Sequence, residues 1–447
     1  MHGGEADRIY DGIYGSYLRA KPYFKEDDPD SIRRSPQLLS GYFGEYEAKK
    51  NLLVTGSKGK GSIARMTAAL LSARYKTGLM ISPHVSDYLE RISIGGKNIS
   101  EEAFVRIGKQ ALADAVRLEP EEKNGEYISP TGLWALIGMR YFSEKKTGFN
   151  VLECGKGAKY DDVNRIPHET AVIGTIFLEH QKELGDTIEE IARDKASVIT
   201  RQVKRVYVMD QKPVVMDIIA ERAGEMGAEL CCPGKGFLAK NLRRALNGVT
   251  ADIYVRELEL KDVFISLAGG YQAGHAALAL AVFVDHIREK YPGWKPDEIE
   301  GNRIRSAFNT VRIPGRMEVI GDDPLCVIDS CINRESAGEL MATLSDAGID
   351  RAVTIICLPD DKDVCGVADI MAKISEVMIF TKANHPHYPT KTDWGKVFTE
   401  RGIRAFDEAD MQIAYQKGIE FGLPIIVLVA NTFVDFVEKN IESVKFF

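Results

Sequence analysis

A glycine-rich segment with two lysines stands out among the residues that could do chemistry. Val54-Thr55-Gly56-Ser57-Lys58-Gly59-Lys60-Gly61-Ser62 follows a short apolar run and precedes a run with helical spacing. Glycines let backbone N–H groups crowd around a phosphate chain, and a helix N-terminus adds a favourable dipole. The residues that we predict to contact the phosphates are Gly56, Ser57, Lys58, Gly59, Lys60, Gly61 and Ser62. The spacing, GxxGKGS, differs from the usual GxxxxGK[ST], and the alternative is a flexible loop without a ligand.

Polar side chains follow three further apolar runs. Ser82 comes after a predicted strand at Thr77–Ile81, Glu153 lies in the strand Asn150–Cys154, and Glu179-His180 follows the strand Ala171–Phe177. The carboxyl ends of parallel strands meet at one edge of a sheet, beside the phosphate loop. A hydroxyl, a carboxylate and an imidazole there could hold Mg²⁺ on ATP phosphates. Each residue alone is weak evidence, because a single histidine or carboxylate at a strand end is more often structural.

Strands and helices alternate along the chain, which predicts an α/β fold with a mostly parallel sheet. We expect a large parallel-sheet P-loop ATPase domain over residues 1–305 and a smaller Rossmann-like α/β domain over residues 306–447. The turn signal Pro314-Gly315 is a plausible hinge between them. In the second domain, apolar runs at Leu325–Asp329, Val353–Leu358 and Ile425–Val429 are predicted strands.

Composition narrows the class of protein. The 447 residues are 45% hydrophobic and 28% charged with a net charge of −7, which suits a globular protein and argues against a nucleic-acid binder. Seven scattered cysteines without a CxxC pair are expected to be reduced thiols. The start of the sequence lacks a signal-peptide pattern, and the apolar stretch Leu423–Val434 is too short to span a bilayer. We therefore expect a cytoplasmic protein that binds neither membranes nor nucleic acid.

At this point the motifs resemble a known family, the Mur ligase superfamily, and most closely its folylpolyglutamate synthase/dihydrofolate synthase branch. The loop is similar to the family's GTNGKGS. The other matching segments are Ser82-Pro83-His84, Glu90-Arg91-Ile92, Glu153 to Asn164 (EVGLGGRLDATN in the family), Leu178-Glu179-His180, Leu184 to Lys195, Leu267 to Ala276 (LxGxHQxxNA), Pro314-Gly315-Arg316, Asp329 to Asn333 (DGAHN) and Asp361-Lys362-Asp363.

The resemblance implies an ATP-dependent ligase that activates a carboxylate acceptor as an acyl phosphate and joins it to an amino acid, with glutamate expected. It also implies ATP and Mg²⁺ as cofactors and a carbamylated Lys195. The expected residues are Lys60, His180 and Lys195 for catalysis, Ser82, Glu153 and His180 for Mg²⁺, and His275, Arg316 and Asp329 for the nucleotide beyond the loop. Without the resemblance, Lys195 would be interpreted as a surface lysine paired with Asp194 or Glu190.

Departures from the family pattern leave alternatives open. Tyr271 and His275 replace the histidine and asparagine of HQxxN, and Ile332 replaces the histidine of DGAHN. Isoleucine cannot donate a hydrogen bond, so the acceptor and amine sites look altered. The first alternative is a Mur-type ligase with a non-folate acceptor, such as a cell-wall precursor, a polyamide or a specialised metabolite. The second is a non-catalytic nucleotide-binding subunit.

Overall fold

In a computed structural model of the chain, the described residues are 4–23, 38–119, 126–383 and 390–445. They form two compact units. The first comprises Met1–Ala239, Ile253–Leu260 and Gly274–Phe308, and the second comprises Lys240–Asp252, Lys261–Ala273 and Asn309–Phe447. The chain passes between the units more than once before residue 309, and the domain boundary at residues 305/306 stays a prediction.

The first unit contains an eight-stranded sheet in the order β4-β3-β2-β5-β1-β6-β7-β8. The strands are β1 (Asn51–Thr55), β2 (Thr77–Met80), β3 (Ile92–Ile94), β4 (Lys97–Asn98), β5 (Phe149–Glu153), β6 (Thr170–Ile173), β7 (Arg205–Val208) and β8 (Glu229–Cys231). The six strands from β2 to β8 in this order are parallel, whereas β3 and β4 are antiparallel additions.

The central strands are apolar because helices cover both faces of a parallel sheet. Every residue of β1 and β5 is buried. The two asparagines among them are hydrogen-bonded to each other, since the Asn150 side-chain amide donates to Asn51 Oδ1 at 2.8 Å. The sheet is therefore a rigid platform for the segments that leave its carboxyl edge.

Helices surround this sheet and begin at residues suited to cap them. They are α1 (Glu5–Ala20), α2 (Lys60–Ser72), α3 (Glu101–Leu118), α4 (Pro130–Glu144), α5 (Gln181–Leu184), α6 (Ile188–Ala196), α7 (Pro213–Met226), α8 (Tyr271–Lys290) and α9 (Glu298–Thr310). The hydroxyls of Ser100, Ser129 and Thr187 accept backbone N–H groups at the starts of α3, α4 and α6. Such caps satisfy N–H groups that the helix leaves without partners.

A three-stranded sheet, β11-β10-β9, follows the large sheet in the chain. Its strands are β9 (Phe237–Ala245), β10 (Gly248–Val255) and β11 (Leu258–Ile265).

The second unit contains a six-stranded sheet in the order β12-β13-β17-β14-β15-β16. Its strands are β12 (Glu318–Asp322), β13 (Leu325–Asp329), β14 (Ala352–Cys357), β15 (Ser375–Phe380), β16 (Ala405–Asp407) and β17 (Ile425–Val429). Its helices are α10 (Arg334–Asp346), α11 (Val364–Met371), α12 (Trp394–Glu400), α13 (Met411–Ile419) and α14 (Val434–Lys445). Only β12 runs antiparallel to its neighbour.

This architecture confirms the predicted fold class: a large, mainly parallel α/β unit followed by a smaller α/β unit. One strand prediction is wrong in length, because β6 ends at Ile173 and not at Phe177. Among the described residues, none of the helices combines the length and apolar character needed to cross a membrane.

Candidate active site

The glycine-rich loop occupies the gap between β1 and α2 and is packed tightly. Gly56 has φ +138°, and a Cβ on it would lie 2.8 Å from Gly174 Cα, at the end of β6. The carbonyl of Thr175 accepts the N–H groups of Ser57 at 3.0 Å and Lys58 at 3.1 Å. The segment after β6 therefore holds the loop and cannot continue as a strand, which explains why β6 ends early.

Gly59 and His275 are in direct contact. Gly59 adopts φ +84° immediately before α2, and a Cβ there would lie 2.5 Å from His275 Nε2. Burial, together with a smaller effect of the positive charge of Lys58, lowers the pKa of His275 to about 3, so the ring is neutral. The structure thus places His275 against the phosphate loop. Its predicted contact with the nucleotide stays a prediction.

Two lysines converge on one carbonyl of this loop. Lys60 Nζ donates to the Gly56 carbonyl at 2.9 Å, and Lys195 Nζ donates to the same oxygen at 3.1 Å. Lys195 also donates to the Lys156 carbonyl at 2.6 Å and lies 3.1 Å from Glu179 Oε1. Its side chain is 0% exposed, so the alternative of a surface lysine is wrong.

Burial and charge make Lys195 chemically unusual. Desolvation lowers its pKa from the ordinary 10.5 to about 8, the nearby charge of Lys60 acts in the same direction, and Glu179 acts against both. An amine with such a pKa is partly neutral near neutral pH and can react as a nucleophile.

Ser82 and Glu153 meet at the ends of adjacent strands. The Ser82 backbone N–H donates to Glu153 Oε2 at 3.2 Å, and Glu153 is buried. A Cβ on Gly61 would lie 3.6 Å from the same carboxylate oxygen and 3.3 Å from Arg65 Nη1, so the first turn of α2 lies close to Glu153. A hydroxyl and a carboxylate beside a phosphate loop fit Mg²⁺, which usually takes one or two carboxylates and completes its shell with water and phosphate.

His180 lies further along the same edge, after β6. Its backbone has φ +47°, and its Nε2 lies 3.8 Å from Glu179 Oε2. Burial lowers its pKa, which favours the neutral imidazole that can ligate a metal. Within the described ranges, no group of three or more His, Cys, Asp and Glu side chains is arranged to hold a metal ion.

A cavity of about 370 Å³ opens next to Ser82. Asp161 lies at its wall, where it accepts N–H groups from Gly155 at 2.6 Å and Val163 at 3.0 Å. Burial raises the pKa of Asp161 to about 6. Four tyrosines and one arginine also line the cavity: Tyr14, Tyr17, Tyr127, Tyr160 and Arg91. A larger cavity of about 760 Å³ shares Tyr160, Leu184 and Asp194 with it but is lined by none of the predicted site residues.

Of the residues that line the 370 Å³ cavity, sequence reasoning assigned a role only to Ser82. Two signals were present. Tyr10, Tyr14 and Tyr17 recur at helical spacing, which places them along one side of α1, and Arg91 lies within the quoted Glu90-Arg91-Ile92 motif. Neither signal reveals the cavity, because the tyrosines of α1 lie more than 60 residues before Ser82 and the nine positions between Ser82 and Arg91 do not fix where the two side chains lie.

The remaining predicted residues lie in the second unit. Asp329, at the end of β13, accepts the Met317 N–H at 2.9 Å, and Arg316 donates to the Ser330 carbonyl at 3.2 Å. The Pro-Gly-Arg turn is thus tied to the end of β13. Ile332 follows in the next loop, where its carbonyl accepts the Asp363 N–H at 3.2 Å.

Comparisons with known proteins agree with this geometry. The Mur ligase middle domain family matches residues 54–283, just over half of the chain. A dihydrofolate synthase/folylpolyglutamate synthase of Mycobacterium tuberculosis is 28% identical over 371 residues, covering 80% of this chain and 75% of the relative. The folylpolyglutamate synthase of Lacticaseibacillus casei is 26% identical over 398 residues, covering 88% of each chain.

A solved structure shares the fold. The folylpolyglutamate synthase of Mycobacterium tuberculosis, complexed with ADP and AMPPCP, superposes with a TM-score of 0.81 at 23% identity, covering 96% of this chain and 98% of that one. The relatives support a folylpolyglutamate synthase-like enzyme over the alternatives. The chain therefore belongs to the Mur ligase middle domain family, and it is an ATP-dependent ligase.

Proposed function

We propose that the chain joins glutamate to a folate-type carboxylate acceptor in an ATP-dependent reaction that passes through an acyl phosphate. The observation that carries the proposal is the arrangement at one edge of the large sheet. Four adjacent parallel strands, β2, β5, β1 and β6, end at this edge. The segments at and after their ends carry the phosphate loop with Lys60, the Ser82–Glu153 pair and the Lys195–Glu179 pair. The substrate class is proposed from the two related enzymes, a dihydrofolate synthase/folylpolyglutamate synthase and a folylpolyglutamate synthase.

In the first step, a carboxylate oxygen of the acceptor attacks the γ-phosphorus of ATP. The bond from the γ-phosphorus to the bridging oxygen breaks, and ADP leaves. Lys60 is placed to exchange its contact with the Gly56 carbonyl for the outer phosphates, where its charge stabilises the transition state. Ser82 and Glu153 would hold Mg²⁺, with His180 as a further ligand, and a bound Mg²⁺ would neutralise phosphate charge.

In the second step, the α-amine of glutamate attacks the acyl carbon. Inorganic phosphate leaves, the amine loses a proton, and an amide remains. Arg316 and Asp329 are proposed to contact the nucleotide, on the basis of the family motifs that they belong to. Because the side chain of Ile332 cannot donate a hydrogen bond, we expect other side chains to bind the amino acid in this chain.

Lys195 is proposed to be carbamylated in the active enzyme. Its neutral amine would add to CO₂ with loss of a proton, and the anionic product could serve as a metal ligand. The depressed pKa supports this chemistry, because the neutral amine is the form that reacts. In its unmodified form the ammonium group is held by two carbonyls and Glu179.

The test is acceptor-dependent release of ADP. The full chain is incubated with Mg-ATP, glutamate and 7,8-dihydropteroate, folate or a panel of unrelated carboxylates, and products are analysed by mass spectrometry. We expect ADP release with the pteroate compounds and a mass gain equal to glutamate minus water. Turnover only with unrelated acids would overturn the folate-type acceptor, and ATP binding without turnover across the panel would overturn the enzymatic assignment.

A further inference from the structure

An ion pair joins two of the segments that carry the site. Lys156, in the loop after β5, places its Nζ 2.7 Å from Glu183 Oε1 in α5. The Lys156 side chain is 57% exposed and that of Glu183 is 27% exposed, so the pair lies at the rim of the site. The family motif EVGLGGRLDATN has leucine at the position of Lys156, so this cation belongs to the chain and not to the family pattern.

The same residue holds Lys195 through its backbone. The Lys156 carbonyl accepts a hydrogen bond from Lys195 Nζ at 2.6 Å, which is the shorter of the two carbonyl contacts of that ammonium group. Lys195 Nζ also lies 3.1 Å from Glu179 Oε1. Lys156 therefore contacts the buried amine with its main chain and the carboxylate of α5 with its side chain.

The short helix α5 begins directly after His180. The His180 carbonyl accepts the N–H groups of Glu183 and Leu184, both at 2.9 Å, and His180 Nε2 lies 3.8 Å from Glu179 Oε2. The contacts thus form a closed ring of residues, in this order: Lys195, Lys156, Glu183, His180 and Glu179. The ring connects the loop after β5, the segment after β6 and α6.

This part of the site needs support from its neighbours. α5 has four residues, and a single helical turn is not stable through its own hydrogen bonds. His180 has φ +47°, a left-handed conformation that is unfavourable for a residue with a side chain and persists only where the surroundings hold it. Burial of Leu184 and the ion pair of Lys156 with Glu183 both hold α5 in place.

We propose that the Lys156–Glu183 ion pair is a positioning element that keeps His180 and Lys195 at a fixed separation for catalysis. Neither side chain of the pair is assigned a contact with substrate. The inference rests on the proposed function, because it takes His180 and Lys195 as catalytic groups of that reaction. An exposed ion pair adds little to overall stability, so its effect is expected in the placement of α5 and not in the folding of the chain.

The variants remove the pair, keep it or reverse it. Lys156→Met and Glu183→Gln remove it singly and together, Lys156→Arg keeps it, and Lys156→Glu combined with Glu183→Lys reverses it. The matched control is the pair of Lys204 and Glu169, which lies 2.6 Å apart in the same unit with side chains 67% and 27% exposed. Lys204→Met and Glu169→Gln should leave every quantity measured below unchanged.

Hydrogen exchange and chemical labelling report the placement without turnover. Exchange of the Glu183 and Leu184 amides should be about two- to fivefold faster in Lys156→Met, the factor that an exposed ion pair contributes, while amides of β1 are unchanged. Labelling of the Lys195 amine by cyanate, measured by mass spectrometry, should also be faster, because the Lys156 carbonyl would hold that amine less firmly. The double variant should equal the single ones, because the second substitution removes no further interaction.

Turnover separates positioning from substrate binding. Lys156→Met should lower the kcat for ADP formation by about three- to tenfold, because misplaced catalytic groups slow the chemical step. The KM values for ATP and for the acceptor should each change by less than about twofold, since the pair is not assigned a contact with either. Lys156→Arg and the reversed pair should recover most of the wild-type kcat.

Three results would overturn the proposal. They are an effect on exchange no larger than that of the control pair, additive effects of Lys156→Met and Glu183→Gln, and a raised KM for the acceptor at unchanged kcat, which would make Lys156 a substrate-binding residue. A failure of the proposed function is distinguishable from these. A chain that turns over no folate-type acceptor would still show, through exchange and labelling, whether the pair holds α5 and Lys195.

Discussion

Replacing Gly59 with alanine tests the packing of the phosphate loop in two separable parts. The first part is backbone strain, because a left-handed φ of +84° costs an L-residue about 1–2 kcal/mol. The second is a collision, because the new Cβ would lie 2.5 Å from His275 Nε2, and overpacking of this kind costs about 1–3 kcal/mol. The sum predicts that Gly59→Ala destabilises the loop region by about 2–5 kcal/mol.

A matched control isolates the strain. Gly96 has φ +79°, close to that of Gly59, but nothing lies within 4 Å of the Cβ position. Gly96→Ala should therefore cost about 1–2 kcal/mol, the strain alone. A double variant, Gly59→Ala with His275→Ala, removes the collision. Its destabilisation should be smaller than the sum of the two single effects by about 1–3 kcal/mol.

Native-state hydrogen exchange measures these free energies locally, through amides of β1 and α2 for the Gly59 variants and through amides of β3 and β4 for Gly96→Ala. The result therefore does not require the two units to unfold together. Additive effects of the two substitutions would refute the reasoning, since they would mean that the His275 ring does not oppose a side chain at Gly59. Equal destabilisation by Gly59→Ala and Gly96→Ala would refute it as well.

Three further predictions concern the chemistry. Lys60→Ala should lower acceptor-dependent ADP formation by about a hundredfold or more, as loss of one transition-state donor does, and unchanged turnover would contradict the assignment of the loop. Glu153→Gln should stay folded, because an amide oxygen can still accept the Ser82 N–H, but it should need a higher Mg²⁺ concentration for half-maximal turnover. The control is Glu144→Gln at the surface. Equal Mg²⁺ titrations of the two variants would argue against a metal role for Glu153. Burial lowers the folded-state pKa of Lys195 to about 8 from 10.5, so between these pH values the unfolded chain binds more protons and stability rises with pH. The unfolding free energy of Lys195→Met should rise less than that of the wild type over this window, and parallel pH profiles would exclude the depressed pKa.

Much of the fold follows from patterns that act locally. The apolar run before Gly56 and the helical spacing after Ser62 place β1, the loop and α2 in order, because each depends on neighbouring residues. The meeting of Ser82 and Glu153 was also predictable, since parallel strands align their carboxyl ends. The roles of these residues in catalysis and metal binding stay predictions.

Other features depend on contacts between distant segments and could not be predicted from the sequence. Lys195 has the sequence context of a surface helix, yet the inner side of α6 carries it to the Gly56 carbonyl, 139 residues away in the chain. The length of β6 was overestimated because the Thr175 carbonyl turns to accept amides of the phosphate loop.

The hydrogen bonds from the Ser57 and Lys58 amides to the Thr175 carbonyl affect how a phosphate can bind to the loop. Since the amides of Ser57 and Lys58 donate to the Thr175 carbonyl, we expect a phosphate to be bound by the amides at the beginning of α2 together with Lys60. The contacts with Thr175 fix the conformation of the loop. Nucleotide binding should therefore cost little conformational entropy in this loop, so the contacts with the phosphates should contribute more to the binding affinity.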